Sequence, residues 1–585
     1  MHEFRHSMDL SPDQKLAGLL APLFALRGAH DLGVGDVGAL REFVDWAAEQ
    51  GFRIVQLLPV NETGNDHSPY NAISSVSLEP TTIEITPEAL PDLTAKEIDA
   101  ITAKGDLGKL RAGPVAYPLI KALKWKLLGK AFENFSVQSL RRNDKRARAF
   151  RSFLKEEAAW LEGYALYRVL IEENAGSECW DLWPEEHRSP EKARAWLASQ
   201  KPAERKRLEQ RMKFVSYVQW IAWGQWEQIR DYAEAKEVAL MGDIPFGVSY
   251  YSADVWAHPE VFDHQWCGGC PPERVFETDP FTYKWGQNWG IPLYRWDVLR
   301  ENGFDWWRQR VKKVRTCFHL FRIDHILGFF RIYGFPWRPQ LNAEFLPLTE
   351  EEAKERTGGE LPHFVAHEDD TPEHKAANRA QGEEALKTLV EECGAFRLIG
   401  EDLGVVPDYV RPCLTELGIA GFKIPYWENE YDNGPMVPGA SYQRLSVTTY
   451  ATHDFEPMRT TWENWMAKIA AAEHGGPETY GPRDQAWKDV RRLSGWAGFE
   501  VPRITPFDEV VQEKLLRGLM ASNAWMAIYM ITDLFGTDQR FNVPGTANDS
   551  NWSQRLQEPI ASWPKNKALA TRMDGVRAIL RETGR

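Results

Sequence analysis

Four short, β-rich apolar runs, widely spaced along the chain, each deliver an acidic residue at the C-terminal end. Val238–Gly242 runs into Asp243, and Phe318–Ile323 runs into Asp324. Phe396–Gly400 runs into Glu401, and Leu445–Thr452 runs into His453 and Asp454. One acid after one strand carries little information. Four in chain order constrain the fold, because in a (β/α)8 barrel the catalytic groups project from the C-terminal ends of several parallel strands.

Other segments extend the pattern. Leu19–Leu26 is an apolar run of strand length, Val37–Gln50 has apolar residues at helical spacing, and Arg53–Val60 reads as a second strand. That is a βαβ unit, which favours parallel strands. Trp525–Ile531 is a last strand. The predicted class is α/β, a (β/α)8 TIM barrel with large, mostly helical and loop insertions. A barrel takes about 250 residues, and the chain has 585. The chain is therefore expected to be a single catalytic barrel, 1–585, with three insertions. These are a helical one at 87–213, an aromatic loop rich in Trp, Gly and Pro at 249–305, and a polar one at 338–391.

Composition removes other classes. The net charge of −14 repels phosphate backbones, so no nucleic-acid partner is expected. The basic cluster Arg141, Arg142, Lys145, Arg146, Arg148 is read as a solvated helix face. No apolar run reaches the roughly 18 residues of a membrane span. Residues 1–15 lack the apolar core of a secretory signal. Six cysteines are too few for a disulfide framework, and the cytoplasm is the expected compartment. The chain carries 25 Trp. Some must fill the core; others suit a cleft in which indole faces stack on sugar rings.

Two motifs yield to plainer readings. Gly33-Val34-Gly35-Asp36-Val37-Gly38 matches GxGxxG and opens a helix, but Arg27–Leu32 separates it from its strand, so a dinucleotide site is not expected. Cys267-Gly268-Gly269-Cys270 lacks the second ligand pair of a zinc site and reads as a loop with two thiols. No metal or cofactor is expected. The absence of a GxSxG elbow disfavours a serine hydrolase.

The sharpest segment is Phe321-Arg322-Ile323-Asp324-His325. Arg322 and Asp324 lie two apart on a strand and face the same way, and an adjacent cation favours an ionised carboxylate. In Gly400-Glu401-Asp402-Leu403-Gly404, one carboxyl should face the barrel mouth and the other should brace a loop, with Glu401 the slightly favoured general acid. Thr452-His453-Asp454 ends another strand and suits vicinal hydroxyls. Three acids at one barrel mouth suit glycosyl transfer, whose oxocarbenium-like transition state carboxylates stabilise.

With these residues in place, the chain resembles the 4-α-glucanotransferases of the amylomaltase (disproportionating enzyme) family, relatives of the α-amylases. The resemblance runs from about Leu19 to Leu556. It rests on Ser68-Pro69-Tyr70, Gly242-Asp243-Ile244-Pro245, Ser252–Pro259 (SADVWAHP) and Gly286–Trp296 (GQNWGIPLYRW). It continues through Arg322–His325, Gly400–Gly404, Thr452–Asp454 and Asn542-Val543-Pro544-Gly545-Thr546. ADVWAHPE together with GQNWGIPLYRW is the most specific part.

The resemblance implies Asp324 as nucleophile, Glu401 as general acid/base and Asp454 as transition-state stabiliser. It implies that Asp243, Arg322 and His453 hold the donor-side glucose. His325 matches an acceptor-side position, with loop bracing an equal alternative. Tyr70 and Trp289 match aromatic positions of the glucan cleft, with loop packing as their competing role. Asn542 matches a loop position near the sugar, and Trp256 and Trp296 are read as packing residues. The implied reaction is a retaining transfer of α-1,4-linked glucan segments from maltooligosaccharides, or starch- or glycogen-derived glucans, to glucose or another glucan. Its two carboxyls are expected roughly 5–5.5 Å apart. An α-amylase-type hydrolase and a non-catalytic glucan-binding protein are the rival readings. Phe455, after Asp454, departs from a commonly polar position. So do the long stretch Asp279–Lys284 and the long insertion between Asp324 and Glu401.

Overall fold

The computed structural model describes residues 8–103, 105–272, 279–431, 434–473, 475–544, 546 and 550–585. Gly545 of the Asn542–Thr546 motif lies outside the described residues.

Eight parallel strands form the barrel. In chain order they are β1 (Leu16–Leu20), β2 (Ile54–Gln56), β3 (Ala239–Ile244), β6 (Leu320–Ile323), β9 (Leu398–Gly400), β10 (Gly421–Lys423), β11 (Ser446–Thr448) and β12 (Met526–Met530). They pair in the order β10-β11-β12-β1-β2-β3-β6-β9. The ring is completed where the Gly400 N–H donates to the Ala420 carbonyl just before β10, at 2.8 Å.

Side-chain alternation places the functional groups. Leu16, Leu20, Ile54, Ala239, Met241, Leu320, Ile399, Phe422, Val447, Ile528 and Met530 pack together as the barrel interior. Their neighbours Leu19, Val55 and Leu240, with Phe321, Ile323 and Leu398, face the surrounding helices. A period of two carries the inward set onward from Met241 to Asp243. It likewise carries Leu320 to Arg322 and Asp324, and Ile399 to Glu401. The inner apolar layers thus end in polar groups at one mouth. At the other end the Arg585 guanidinium donates to the backbone carbonyls of Leu16, Met520, Ser522, Ala524 and Trp525, tying the start of β1 to the start of β12.

Several expectations shift in position. The first strand is Leu16–Leu20 rather than Leu19–Leu26, because Pro22 offers no N–H to a ladder and a single 3-10 turn, Leu23–Ala25, follows it. The helix Val37–Glu49 forms where expected, with the Asp36 side chain accepting from the Ala39 N–H at 3.1 Å. That carboxylate occupies the helix N-terminus a pyrophosphate would need. Between 87 and 213 lie the helices Ala95–Thr102, Leu107–Ala112, Tyr117–Phe135, Lys145–Glu156, Ala158–Glu173 and Pro190–Ser199. The next helix, Pro202–Ala235, runs on past 213 into the barrel layer.

The aromatic stretch 249–305, expected as loop, is corrected in part to strand. It contains β4 (Phe262–Cys270) and β5 (Gln287–Tyr294). These join β7 (Ile332–Phe335) and β8 (His363–Val365) in a four-stranded antiparallel sheet of order β5-β4-β7-β8. Small residues permit the close pairing, since a Cβ on Gly269 would sit 1.8 Å from the Gln287 carbonyl oxygen. Cys267 is therefore buried in a sheet, and burial pushes its thiol up to about 12. Trp256 is buried in the core between the barrel and its surrounding helices, and Trp296 packs against that core. No helix among the described residues is long and apolar enough to cross a membrane.

Candidate active site

The ten residues singled out from the sequence meet in one contiguous network at the C-terminal mouth of the barrel. Its centre is Arg322, buried at the end of β6. Its Nη1 donates to Asp243 Oδ2 and its Nη2 to Asp324 Oδ1, each at 2.6 Å. The planar fork suits two carboxylates at once. Asp243 and Arg322 are almost sealed, with side chains 1% and 4% exposed, whereas Asp324 is 32% exposed. Burial pushes the Asp243 carboxyl up, against the pull of Arg322. Its two carboxylate neighbours hold the Arg322 guanidinium charged, well above its ordinary range. The more open partner of the fork, Asp324, is the one placed to meet a ligand.

Tyr70, from the loop after β2, donates its hydroxyl to Asp243 Oδ2 at 2.7 Å. Its ring stacks on His453, centroids 5.2 Å apart and planes within 10°. His453 Nε2 lies 3.4 Å from Asp454 Oδ1, and Asn542 Nδ2 donates to the same oxygen at 2.7 Å. The Asp454 side chain is 37% exposed.

Glu401 receives the backbone N–H of His325 at Oε2, 2.9 Å, and that of Leu403 at Oε1, 3.1 Å. His325 can present its N–H this way because it adopts the left-handed conformation, φ 48°, a turn uncommon for a non-glycine residue. Gly400 lets this turn pack closely, since a Cβ there would lie 2.6 Å from Ile326 Cδ1. Burial is the main cause that pushes the Glu401 carboxyl up, to about 8; Asp324 adds to the rise, and Arg322 and the His325 N–H oppose it. Its neighbour Asp402 points elsewhere, accepting from Arg411 Nε at 2.8 Å and the Phe422 N–H at 2.6 Å, where it fixes the loop to β10.

The His325 ring, pushed down to about 4 by burial, is neutral at pH 7. It meets Trp289 edge-on, centroids 4.8 Å apart. Trp289 is 38% exposed. A cleft of about 460 Å³ opens beside Asp324, His325 and Trp289 and is bounded by Tyr70, Phe246 and Tyr251.

Two contributors escaped the sequence. Trp552, left-handed at φ 61°, packs 5.9 Å from Tyr70 and 5.7 Å from His453. Arg540 donates to the backbone carbonyls of Asp454, at 2.5 Å, and Asn542, at 2.7 Å, and so ties two distant loops together. Nothing in the local pattern marks Trp552. The one signal for Arg540 is its place two residues before Asn542.

A fork-held carboxylate beside a largely protonated carboxyl, at the mouth of a barrel with an aromatic-walled cleft, is the constellation expected of retaining glycosyl transfer. A family profile described as 4-alpha-glucanotransferase matches residues 21–561. The chain belongs to the 4-alpha-glucanotransferase family. A 4-alpha-glucanotransferase of Thermus thermophilus is 31% identical over 552 residues, covering 92% of this chain and 94% of that one. One of Chlamydia pneumoniae is 29% identical over 562 residues, covering 95% and 94%.

The glucanotransferase fold is also shared with solved amylomaltases. The Streptococcus agalactiae enzyme superimposes with a TM-score of 0.72 at 24% identity, covering 98% of this chain and all of that one. The Corynebacterium glutamicum enzyme gives a TM-score of 0.73 at 20% identity, covering 97% and 75%. For this glucanotransferase the match spans both additions to the barrel, the helical layer and the antiparallel sheet.

Proposed function

We propose that the chain moves α-1,4-linked glucan segments from a maltooligosaccharide, or a starch- or glycogen-derived glucan, to the 4-hydroxyl of glucose or another glucan. The whole chain acts as one catalytic unit. The observation that carries the reading is the contrast between two carboxyls sharing one turn. Asp324 is gripped by Arg322, while Glu401 is raised to about 8.

The contrast assigns two roles. Asp324 attacks the anomeric carbon, and its carboxylate oxygen forms the new bond as the bond to the departing 4-oxygen breaks. Glu401 gives its proton to that oxygen and becomes a carboxylate. The intermediate is a glucosyl ester of Asp324. An incoming 4-hydroxyl then attacks the same carbon, Glu401 takes its proton, and the ester bond to Asp324 breaks. Both residues return to their starting states, and the configuration is retained. Asp454, held by Asn542 and beside His453, supplies negative charge where the oxocarbenium character develops. Tyr70 and His453, face to face, form a wall for the donor sugar. His325 and Trp289 line the acceptor approach, and a sugar seated there excludes water.

The cytoplasm is the chain's proposed compartment, since six cysteines are too few for a disulfide framework. Incubation with pure maltotriose tests the function. Transfer yields glucose plus longer maltodextrins with a constant number of reducing ends. Hydrolysis raises that number. An unchanged substrate leaves the non-catalytic binding reading.

A further inference from the structure

A second cavity, of about 250 Å³, lies at the end of the barrel away from the catalytic mouth. Two of its lining residues, His319 and Arg397, stand immediately before β6 and β9, the neighbouring strands whose other ends deliver Asp324 and Glu401. Arg230 and Glu234 reach the cavity from the helix Pro202–Ala235, and Arg315 reaches it from the last turn of the helix Asp305–Cys317.

Charge in this cavity runs against the acidic balance of the chain. Three guanidinium groups line it, and one carboxylate, Glu234, faces them. Burial pushes the thiol of Cys393, also in the wall, up to about 12, so it adds no negative charge. Arg230 Nη1 donates to Glu234 Oε2 at 3.3 Å. Arg315 Nη1 donates to the Glu392 carbonyl, near the end of a helix, where a cation is favoured. Arg397 has no such explanation. Its backbone is fixed, because its carbonyl accepts the Phe321 N–H at 3.0 Å. Its guanidinium makes no hydrogen bond or ion pair among the described residues, and burial together with the Arg230 and Arg315 charges pushes its pKa down.

Two buried donors in the same wall also lack acceptors. His319 is 7% exposed. Its Nδ1 accepts the Leu240 N–H at 3.0 Å, so the neutral ring carries its proton on Nε2. The nearest carboxylate oxygen, Glu234 Oε2, is 3.6 Å from Nε2, beyond hydrogen-bond reach. Arg230 Nε is buried and unpaired as well. Donors sealed from water without a partner cost free energy and are few in native proteins. One ligand that brings several acceptor oxygens and negative charge answers both the unpaired donors and the surplus of cations.

We propose that this cavity binds a phosphate group, as inorganic phosphate or as a small phosphate monoester. A phosphate is compact and rich in acceptors, and guanidinium forks match its oxygens two at a time. At roughly 30 Å³ per water-sized group, the cavity admits a phosphate with a few further atoms attached. The proposal does not depend on the glucan-transfer reading.

The test titrates inorganic phosphate and glycerol 3-phosphate, at constant ionic strength, into wild type, Arg397→Gln and Arg397→Lys, read by calorimetry and by thermal melts. Sodium chloride and glycerol are the controls. Both phosphates are expected to bind wild type and to raise its melting temperature as their concentration rises, while neither control does so. Tighter binding of glycerol 3-phosphate points to a monoester as the ligand, and equal affinities point to the phosphate group alone. Arg397→Gln weakens binding about tenfold, the loss of one charge-assisted hydrogen bond. Arg397→Lys, which keeps the charge and loses the fork, falls between, and it decides the matter if the Gln variant does not fold. No binding to wild type, equal binding to all three proteins, or the same melting shift from chloride overturns the site. Equal binding would place the anion elsewhere, beside Arg322 for example.

Discussion

Replacing Glu401 with Gln separates chemistry from stability in one variant. The amide keeps the shape and its single oxygen can accept one of the two backbone N–H groups that Glu401 receives, but it can neither give nor take a proton. Loss of a general acid typically costs between about a hundredfold and ten-thousandfold in rate, and transfer from maltotriose should fall by that much. Stability should move the other way. The Glu401 carboxyl rises from 4.5 to about 8 on folding. Between those values the native state holds a proton that the unfolded state has released. Native protein then binds more protons than unfolded protein, so the stability contributed by this group falls as pH rises through the window. Each unit is worth about 1.4 kcal/mol, which sets a ceiling of about 5 kcal/mol above pH 8. At about 2.1 cal/mol/K per residue, a chain of 585 residues gains at most ~4 °C. Thermal melts of both proteins from pH 4 to 9 should show a constant offset at the acid end, set by the backbone N–H that the amide leaves without an acceptor. From there the melting temperature of E401Q relative to wild type should rise up to about pH 8 and level off. A variant that keeps wild-type activity, or a melting-temperature difference that does not grow with pH, refutes the reasoning.

Other outcomes follow from the same geometry. The free enzyme's kcat/KM should decline on the alkaline side with an apparent pKa near 8, where Glu401 loses its proton, and E401Q should lack that limb; a pH–rate profile checks both. Trp289→Ala opens the acceptor side, so the ratio of reducing ends formed to glucan transferred should rise several-fold, read by reducing-sugar assay beside chromatography. Asn542→Ala removes the donor to Asp454 Oδ1 and should lower kcat by about tenfold, on the order of one lost charge-assisted hydrogen bond, with KM for maltotriose little changed. Arg585→Ala strips the donor from five backbone carbonyls at the barrel floor and should destabilise the fold by about 2–4 kcal/mol without altering kcat, as calorimetry and kinetics together would show.

The sequence reveals the catalytic rim more fully than the layers around it, and the reason is periodicity. A strand carries its inward face forward two residues at a time, so Met241 points to Asp243 and Leu320 to Arg322 and Asp324 without knowledge of the partners. The strand β10 carries no such signal. It is three residues long, begins at Gly421 and is followed by Pro425, which reads as a turn. The sheet of β4, β5, β7 and β8 was also hidden. Its strands are rich in Gly, Trp and Cys, and they pair across stretches of chain that local patterning cannot connect. Trp552 and Arg540 reach the site through contacts with residues far away in sequence. No spacing rule registers such contacts. Phe455 was visible as a departure from a commonly polar position, but its ring contact with Trp427, centroids 5.0 Å apart, exists only once the barrel has closed.

The most direct measurement is capture of the intermediate. E401Q is mixed with an α-maltotriosyl fluoride, whose leaving group departs without an acid, and the digested protein is weighed by mass spectrometry. The account expects a maltotriosyl adduct on the peptide bearing Asp324 that persists with added glucose, whose hydroxyl needs Glu401 as base, and is discharged by azide, which needs none, to give a glycosyl azide of retained α-configuration. An adduct on another residue, or no adduct together with a β-configured product, would contradict it.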